Sequence, residues 1–317
     1  MRDGLVELSD IEAARGRLTG RVHRTPALSA SRLGELFGVR LHLKAELFQK
    51  TGSFKVRGVL NKLDGLSAEQ RARGFVSMSA GNHAAALAWG AAAVGSTAAI
   101  IMPTNAAQSK IDATRGYGGE VVLTGDDLME TCNRIMRERD LMLVHPFDDP
   151  LIIAGHGTVG LEIVEDVPDV ELVIVPVGGG GLISGTAAAI KALRPGVRVV
   201  GVEPVGADAM TRSLVAGRPV QIERPPTVAD GLSAPFAGEH TLRHAQEFVD
   251  QVVPVTDEAI VEALRLIISR AKLAAEPSGA AALAAIVAGA VDLAGATRVV
   301  CVVSGGNVDP ATLKSIL

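Results

Sequence analysis

The sequence predicts an α/β fold made of two doubly wound domains, each built on a parallel sheet. With 317 residues, the chain is longer than one hydrophobic core usually serves. Apolar residues make up 48% of it and aromatic residues only 3%. Its core must therefore consist of Ala, Val, Leu and Ile, which suits helices packed on both faces of parallel strands. Segments typical of strands also alternate with segments typical of helices, which indicates parallel βαβ units.

The predicted elements follow one another in this order. Ser9 to Glu12 matches a capping box, so an N-terminal helix is expected to begin there and to run toward Leu18. A short helix is expected after Pro26. Runs of apolar or alternating residues predict strands at 39–44, 74–78, 98–102, 121–123, 172–177, 197–202 and 298–303. Apolar spacing near 3.6 or Ala-rich composition predicts further helices at 51–63, 84–94, 109–117 and 182–193.

Charge and composition narrow the class of function. The net charge is −4 and no basic stripe is visible, so we expect no nucleic-acid partner. The uncharged run 84–102 is mostly Ala and Gly and is interrupted at Gly95, so we interpret it as a buried helix and strand and expect no membrane span. The chain has two cysteines without a Cys-x-x-Cys spacing and no secretory h-region. These features predict a cytoplasmic protein that acts on small molecules.

Three turns rich in Gly or Ser follow predicted strands, at 79–83, 178–181 and 304–307. Ligands of open parallel sheets lie beyond the carboxyl ends of the strands. Gly178 to Gly181 carry no Cβ, so successive backbone N–H groups can surround an anion at a helix N-terminus, and phosphate is the usual anion there. The alternative is a flexible turn that tolerates glycine. Neither the Gly-x-Gly-x-x-Gly dinucleotide pattern nor a Walker A pattern is present, which favours a monophosphate site.

Lys55 and the segment Ser79 to His83 are candidates for chemistry at the same edge. A lysine is more often solvated than reactive. Lys55, however, follows a strand and a Thr-Gly-Ser turn within an apolar pattern, and burial there would favour the neutral amine that condenses with an aldehyde. Ser79, Ala80 and Gly81 offer small residues for a carboxylate, and Asn82 offers an amide to a phenolate-like oxygen. The alternatives are a helix N-cap formed by Ser79 or Asn82 and a structural imidazole at His83.

In their order, these motifs resemble fold-type II pyridoxal-phosphate enzymes, the tryptophan synthase β-like fold that includes threonine and serine dehydratases and serine racemases. The resemblance runs over nearly the whole chain. It starts at Thr25-Pro26 and includes the segments already named. It also includes 202–204, 227–231, 276–279 and Ser304-Gly305-Gly306-Asn307. It implies a large pyridoxal-phosphate domain formed by 1–50 plus 146–317 and a small domain formed by 51–145.

The resemblance also implies a role for each site residue. Lys55 would carry the cofactor covalently and act as the general base, with Phe54 beside it. The cofactor phosphate would lie on Gly178, Gly179, Gly180, Gly181 and Leu182. Asn82 would donate to the 3′ oxygen of the cofactor, and Ser304 would meet its ring nitrogen. Ser79, Ala80, Gly81 and His83 would hold the substrate carboxylate.

The activity implied by the resemblance is β-elimination from L-threonine, L-serine or both, giving a 2-oxo acid and ammonia. A hydroxyl at Ser304 cannot keep the ring nitrogen protonated, which favours elimination over transamination. Racemases of this type carry a serine where Ala80 stands, and Ala80 cannot donate a proton. Serine racemisation and dehydration of hydroxyaspartate or phenylserine remain alternatives, as does a catalytically silent ligand-binding homologue.

Many members of this family bind a divalent cation. Glu203 matches the first expected ligand and the Ala207 carbonyl could supply the second, but the expected aspartate falls at Ala209, with Asp208 one residue early. Hard cations need several oxygen ligands, so we expect a weak or incomplete site. The resemblance further implies a homodimer. Because the sequence ends soon after Ser304, we expect no C-terminal regulatory domain.

Overall fold

The computed structural model describes residues 4–223 and 227–316. Residues 1–3, 224–226 and 317 of the predicted large domain lie outside this range. The described residues form two sheets surrounded by helices. The strands are β1 (Ala27–Ser29), β2 (Arg40–Ala45), β3 (Phe75–Met78), β4 (Ala98–Pro103), β5 (Glu120–Thr124), β6 (Met142–Leu143), β7 (Leu172–Pro176), β8 (Arg198–Pro204), β9 (Gln251–Val255) and β10 (Arg298–Val303).

The α-helices connect these strands and cover both sheets. They are α1 (Leu8–Leu18), α2 (Ser31–Phe37), α3 (Lys55–Asp64), α4 (Ala68–Ala72), α5 (Asn82–Ala93), α6 (Gln108–Gly116), α7 (Leu128–Glu138), α8 (Pro150–Asp166), α9 (Gly181–Leu193), α10 (Ala209–Ala216), α11 (Glu239–Phe248), α12 (Asp257–Leu266), α13 (Pro277–Val287) and α14 (Pro310–Ile316). Short 3₁₀ turns occur at Glu46–Phe48, Val205–Ala207 and Asp230–Leu232, and a π-helical turn follows α12 at Ile267–Ala271.

The predicted pair of parallel sheets is confirmed. The larger sheet has the order β1-β2-β10-β7-β8-β9, and the smaller sheet has the order β5-β4-β3-β6. Every neighbouring pair is parallel except β1 with β2. The register places Val299 of β10 opposite both Leu41 of β2 and Leu172 of β7. The order β2-β10-β7 therefore sets three loops from distant parts of the chain side by side at one edge.

Both faces of the larger sheet are buried, as the aliphatic composition requires. On one face Leu43, Ile174 and Val200 pack with alanines of α13, such as Ala281. On the opposite face Val173, Val175 and Val300 pack with residues of α9 and α11. Both faces of the smaller sheet are covered as well, with Phe75 and Ile100 on one side and Val76 and Ile101 on the other. No helix within the described residues is long and apolar enough to cross a membrane, and the run 84–102 divides between α5 and β4.

Three local predictions were wrong. Helix α1 begins at Leu8, and its first turn is closed by the Asp10 carboxylate, which accepts the Glu7 N–H at 3.0 Å, so Ser9 and Glu12 do not form the capping box. A strand, β1, precedes the short helix expected after Pro26. Helix α3 begins at Lys55, because residues 51–54 bond instead to the turn that follows β10. The other predicted elements have ends within two residues of the observed ones.

Candidate active site

The site lies where the carboxyl ends of β2, β10 and β7 meet. These three strands are adjacent and parallel, so the loops that follow them share one edge of the larger sheet. The loop after β2 contains Lys55, the loop after β10 contains Ser304 and the loop after β7 contains the four glycines. From the smaller sheet, β3 delivers Ser79 to His83 toward the same place, since Asn82 contacts the larger lobe through Glu276.

The segment before Lys55 is fixed to the turn after β10. The Phe54 N–H donates to the Ser304 carbonyl at 3.1 Å, and the Gly306 N–H donates to the Gly52 carbonyl at 2.9 Å. Ser53 and Gly305 form an isolated antiparallel bridge. This pairing sets the position at which α3 begins, so the first residue of the helix, Lys55, faces the shared edge.

The amine of Lys55 is held in a partly buried, weakly polar position. Its Nζ donates to the Pro146 carbonyl at 2.8 Å and lies 5.1 Å from the centre of the Phe54 ring. Burial lowers the pKa of Lys55 to about 8. A substantial fraction of the amine is therefore neutral near physiological pH, which is the form that attacks a carbonyl carbon.

Three histidines near Lys55 also have lowered pKa values, which favours their neutral forms. Burial, and then the charge of Lys55, lowers the pKa of His83 to about 3 and lowers the pKa of His156 well below its ordinary value. Burial also lowers the pKa of His145. His83 Nε2 lies 3.1 Å from Ser77 Oγ and 3.2 Å from the Val144 carbonyl, so one ring nitrogen has a structural role.

The glycine loop has no room for side chains. A Cβ at Gly179 would lie 2.3 Å from the Phe147 ring, and a Cβ at Gly180 would lie 2.5 Å from the end of Met210. Gly180 also has a φ of +90°, which favours glycine. Helix α9 begins at Gly181, so its first N–H groups, including that of Leu182, have no partner inside the helix and face the loop. The loop therefore offers backbone donors and helix-dipole charge to an anion.

The segment Ser79 to Asn82 is partly buried at the start of α5. The N-cap position is Gly81, with no side-chain cap, so neither Ser79 nor Asn82 caps the helix as the structural alternative required. Ser79 Oγ accepts the Gly81 N–H at 3.2 Å. Asn82 is the first residue of α5, and its Nδ2 donates to Glu276 Oε1 at 2.7 Å. A Cβ at Gly81 would meet nothing within 4 Å, so this segment borders open space.

Ser304 directly follows β10 and is 3% exposed. Its hydroxyl has one distant acceptor, the Ser278 carbonyl at 3.5 Å, so the oxygen is available to another polar group. Two hydroxyls of the neighbouring segment, Thr51 Oγ1 and Ser53 Oγ, are buried without a partner among the described residues. Buried polar groups are nearly always satisfied, and this edge of the sheet therefore has the character of a ligand site.

The residues of the suggested metal site do not fit a divalent cation. Both oxygens of Glu203 are used within the protein, since Oε1 accepts the Met210 N–H and Oε2 accepts the Thr211 N–H and hydroxyl, all at 2.8–2.9 Å. The carboxylate thus holds the start of α10. Across the described ranges, no group of three His, Cys, Asp or Glu side chains is placed to hold a metal ion.

Sequence reasoning missed the loop His145 to Asp148. Pro146 accepts the Lys55 amine, Phe147 covers the glycine loop, and Asp148 accepts the N–H groups of Glu239 and Thr241 at 3.1 Å. A rare aromatic residue after a proline, just ahead of the Asp-Pro pair that starts α8, was the available signal. Glu276 and Asn307 lay in recognised motifs but were given no roles.

The arrangement fits a phosphate-bearing aldehyde: a partly neutral lysine amine, a bare glycine loop at a helix N-terminus, and hydroxyls without partners. A family model described as "Pyridoxal-phosphate dependent enzyme" matches residues 18–305. The chain therefore belongs to the pyridoxal-phosphate dependent enzymes, of fold type II, and its cofactor is pyridoxal phosphate.

The relatives include both ammonia-lyases that act on threonine and racemases. An L-threonine ammonia-lyase of Thermotoga maritima is 44% identical over 316 residues, which span 99% of this chain and 78% of the relative. The crystal structure of a threonine deaminase from T.th. is 42% identical, with a TM-score of 0.90 over 96% of this chain and 99% of that one. The structure of maize serine racemase is 39% identical, with a TM-score of 0.94 over 98% and 96% of the two chains.

Proposed function

We propose that this protein is a lyase that removes the β-hydroxyl and the amino group from L-threonine, L-serine or both, giving a 2-oxo acid and ammonia. The names of the Thermotoga ammonia-lyase and of the T.th. threonine deaminase support this proposal. The observation that carries it is the Lys55 amine, half-buried with a pKa lowered to about 8, at an edge shared with a glycine loop and with the Ser304 hydroxyl, whose one acceptor lies 3.5 Å away.

Pyridoxal phosphate, when bound, withdraws electrons from the α-carbon of an amino acid joined to its aldehyde carbon. In this proposal Gly178 to Gly181, with the N–H of Leu182, hold the phosphate through backbone N–H groups. Asn82 donates its amide to the 3′ oxygen, while Phe54 packs beside the amine. Lys55 Nζ would hold the cofactor covalently and, as a neutral amine, would serve as the general base for the α-proton of the substrate.

Ala80 and Ser304 favour elimination over racemisation and transamination. Racemisation needs a second proton donor on the opposite face of the α-carbon, and Ala80 has no proton to give. His83 is a poor substitute, since its pKa of about 3 leaves it uncharged at neutral pH. A hydroxyl at Ser304 would not keep a proton on the ring nitrogen of the bound cofactor, so the cofactor would withdraw electrons less strongly, which favours elimination over transamination. Ser79 to His83 then hold the substrate carboxylate.

A substrate panel tests the proposal. Purified protein with pyridoxal phosphate is given L-threonine, L-serine, hydroxyaspartate and phenylserine, and both 2-oxo acid and D-amino acid are measured. We expect 2-oxo acid from L-threonine or L-serine, with Lys55→Ala at least ~1,000-fold slower, on the order of the loss seen when a covalent catalytic residue is removed. Borohydride reduction and peptide mapping should tag Lys55. An untagged Lys55 would refute the covalent assignment.

Serine racemisation is the second candidate, because the maize serine racemase superposes so closely. It predicts D-serine as the main product from L-serine. Dominant D-serine, with little 2-oxo acid, would replace elimination by racemisation and show that Ala80 is not a sufficient guide.

Three broader expectations stay proposals. We expect the division into 1–50 plus 146–317 and 51–145, a homodimer, and a cytoplasmic location. The six strands of the larger sheet fall in the first two segments and the four of the smaller sheet in the third, which supports the division. The two cysteines, Cys132 and Cys301, are buried and unpaired, in keeping with a reducing compartment. Light scattering on the purified protein tests the dimer.

A further inference from the structure

Glu276 and Asn307 belong to motifs for which the chemistry above gives no use, yet both contact Asn82. Asn82 Nδ2 donates to Glu276 Oε1 at 2.7 Å, and Asn307 Nδ2 donates to Asn82 Oδ1 at 2.8 Å. Asn307 Nδ2 also donates to the Thr51 carbonyl at 2.6 Å. The two contacts reach the Asn82 amide from α13 and from the turn after β10, both in the larger lobe.

These contacts determine the orientation of the Asn82 side-chain amide, that is, which side carries its oxygen and which its nitrogen. Asn307 uses both N–H groups, one for Thr51 and one for Asn82, so the Asn82 atom facing it must be an acceptor, the carbonyl oxygen. The amide nitrogen of Asn82 therefore lies on the other side and faces Glu276, whose carboxyl oxygen accepts its N–H. One N–H of Asn82 Nδ2 then remains without a partner in the network.

The backbone makes room for this arrangement at two glycines. A Cβ at Gly305 would lie 2.4 Å from Glu276 Oε1 and 3.2 Å from Asn82 Nδ2. A Cβ at Gly52 would lie 2.3 Å from Asn307 Oδ1, and Gly52 has a φ of +75°. A side chain at either position would displace the hydrogen-bonded groups around Asn82, which explains why both positions are occupied by glycine.

The placement of Glu276 is not explained by its own helix. It occupies the N-cap position of α13 without making a side-chain cap, so its carboxyl leaves the N–H groups of α13 and turns to Asn82. The group is 6% exposed. The pKa of Glu276 is raised to about 8, because the effect of burial exceeds the opposing effect of the hydrogen bond from Asn82. A buried carboxyl is costly unless it is hydrogen-bonded, and the bond to Asn82 supplies such a partner.

We propose that Glu276 and Asn307 are positioning residues, which lock the Asn82 amide so that its remaining N–H serves the 3′ oxygen of the cofactor. This rests on the proposed role of Asn82. Two side chains next to the larger sheet, Glu276 and Asn307, would thus control the contact that Asn82 makes with the cofactor. Without either one the amide can rotate and offer its oxygen, which repels an anionic 3′ oxygen.

The test compares variants by two readouts other than turnover: the absorbance maximum of the lysine-bound cofactor and the dissociation constant for pyridoxal phosphate. Glu276→Ala and the isosteric Asn307→Asp should each shift the absorbance and weaken cofactor binding about tenfold, the loss of one hydrogen bond to a charged group. Glu276→Gln keeps an oxygen acceptor and should restore both readouts. Glu69→Ala, at an exposed position on α4, is the surface control.

A double-mutant cycle separates positioning from a general structural role. In the Asn82→Ala background, Glu276→Ala should add nothing to either readout, because there is no amide left to orient. Equal effects in both backgrounds would overturn the proposal, as would unchanged readouts in Asn307→Asp and Glu276→Ala. If Glu276→Ala does not fold, Asn307→Asp in the two backgrounds decides.

Failure of the proposed function would give a different experimental result from failure of the positioning role. An untagged Lys55 after borohydride treatment refutes the covalent assignment, and with it this inference. A tagged Lys55 with an altered spectrum in Asn82→Ala, but not in Glu276→Ala or Asn307→Asp, leaves the function in place and overturns only the positioning role.

Discussion

Glu203 shows how the fold controls the charge of one buried side chain. It lies at the end of β8 with 0% exposure, and its carboxylate accepts the N–H groups that start α10. Burial raises its pKa from the ordinary 4.5 to about 7, although these hydrogen bonds lower it. Met210, the second residue of α10, packs against Gly180. Because Glu203 binds the Met210 N–H, it also helps to hold the glycine loop in place.

Glu203→Gln should therefore change how stability depends on pH. Between about pH 4.5 and 7 the folded state keeps a proton that the unfolded state has lost, so the free energy of unfolding of the native protein falls as pH rises, by up to about 1.4 kcal/mol per pH unit for one proton. The variant lacks this proton. Urea unfolding at intervals between about pH 4 and 8 should show that the advantage of Glu over Gln shrinks until about pH 7 and then stays level.

A pH-independent difference would contradict the prediction. Glu69→Gln, on the surface, serves as the control and should follow the native protein throughout.

At the scale of elements, α8 joins the lysine helix α3 to the glycine-loop helix α9 by contacts between backbones. A Cβ at Gly155 of α8 would lie 2.4 Å from the Arg57 carbonyl and 2.7 Å from Gly58 Cα in α3. On its other side, a Cβ at Gly185 of α9 would lie 2.1 Å from the Ile153 carbonyl of α8. The three helices approach so closely that their relative positions, and those of Lys55 and the loop, are set by glycines.

Gly155→Ala should destabilise the protein by about 1–3 kcal/mol or more, since the methyl group meets backbone that cannot rotate away. It should also weaken cofactor binding by displacing α3. The matched control is Gly16→Ala in α1, where a Cβ meets nothing within 4 Å. There alanine should stabilise the helix by about 0.5–1 kcal/mol. Thermal and urea unfolding measure both, and equal effects of the two substitutions would show that the close packing is not rigid.

At the scale of the whole molecule, a buried ionic cluster binds α3 to the larger sheet. The Arg57 guanidinium, 1% exposed, donates to both oxygens of Glu46 at 2.8 and 2.9 Å and to both oxygens of Glu162 at 2.7 and 2.8 Å. Lys44 on β2 donates to Glu162 at 2.7 Å. The charges nearly balance, and the geometry is bidentate on both sides, which offsets the loss of hydration. Arg57 lies in the first turn of α3, two residues after Lys55.

Arg57→Met should destabilise the protein by about 3–5 kcal/mol, because it leaves two buried carboxylates facing one lysine. Arg134→Met, which removes an exposed partner of Glu138 four residues away, should change stability by less than about 0.5 kcal/mol. Urea unfolding compares the two. A small effect at Arg57 would contradict the prediction, because it would show that the two buried carboxylates do not depend on this guanidinium.

The sequence by itself determined the class of fold and the three turns of the site, because each depends on local patterns. The cofactor followed from the family that these motifs, in their order, resemble. These patterns can be recognised without knowing where they lie in the fold: aliphatic strands, the glycines after Val177 and the small residues after Met78. Their joint position is also implied by parallel sheets, whose carboxyl ends share an edge.

Only the tertiary structure decided how these parts are joined. Residues 51–54 read as helix, but they pair with the turn after β10, a contact between segments about 250 residues apart that no local spacing encodes. The contact of the Lys55 amine with the Pro146 carbonyl and the contacts of Glu276 and Asn307 with Asn82 likewise depend on partners distant in sequence. A hydrogen bond or an ion pair needs a partner at a specific distance and angle, and that partner is fixed only when strands β2, β10 and β7 come to lie side by side.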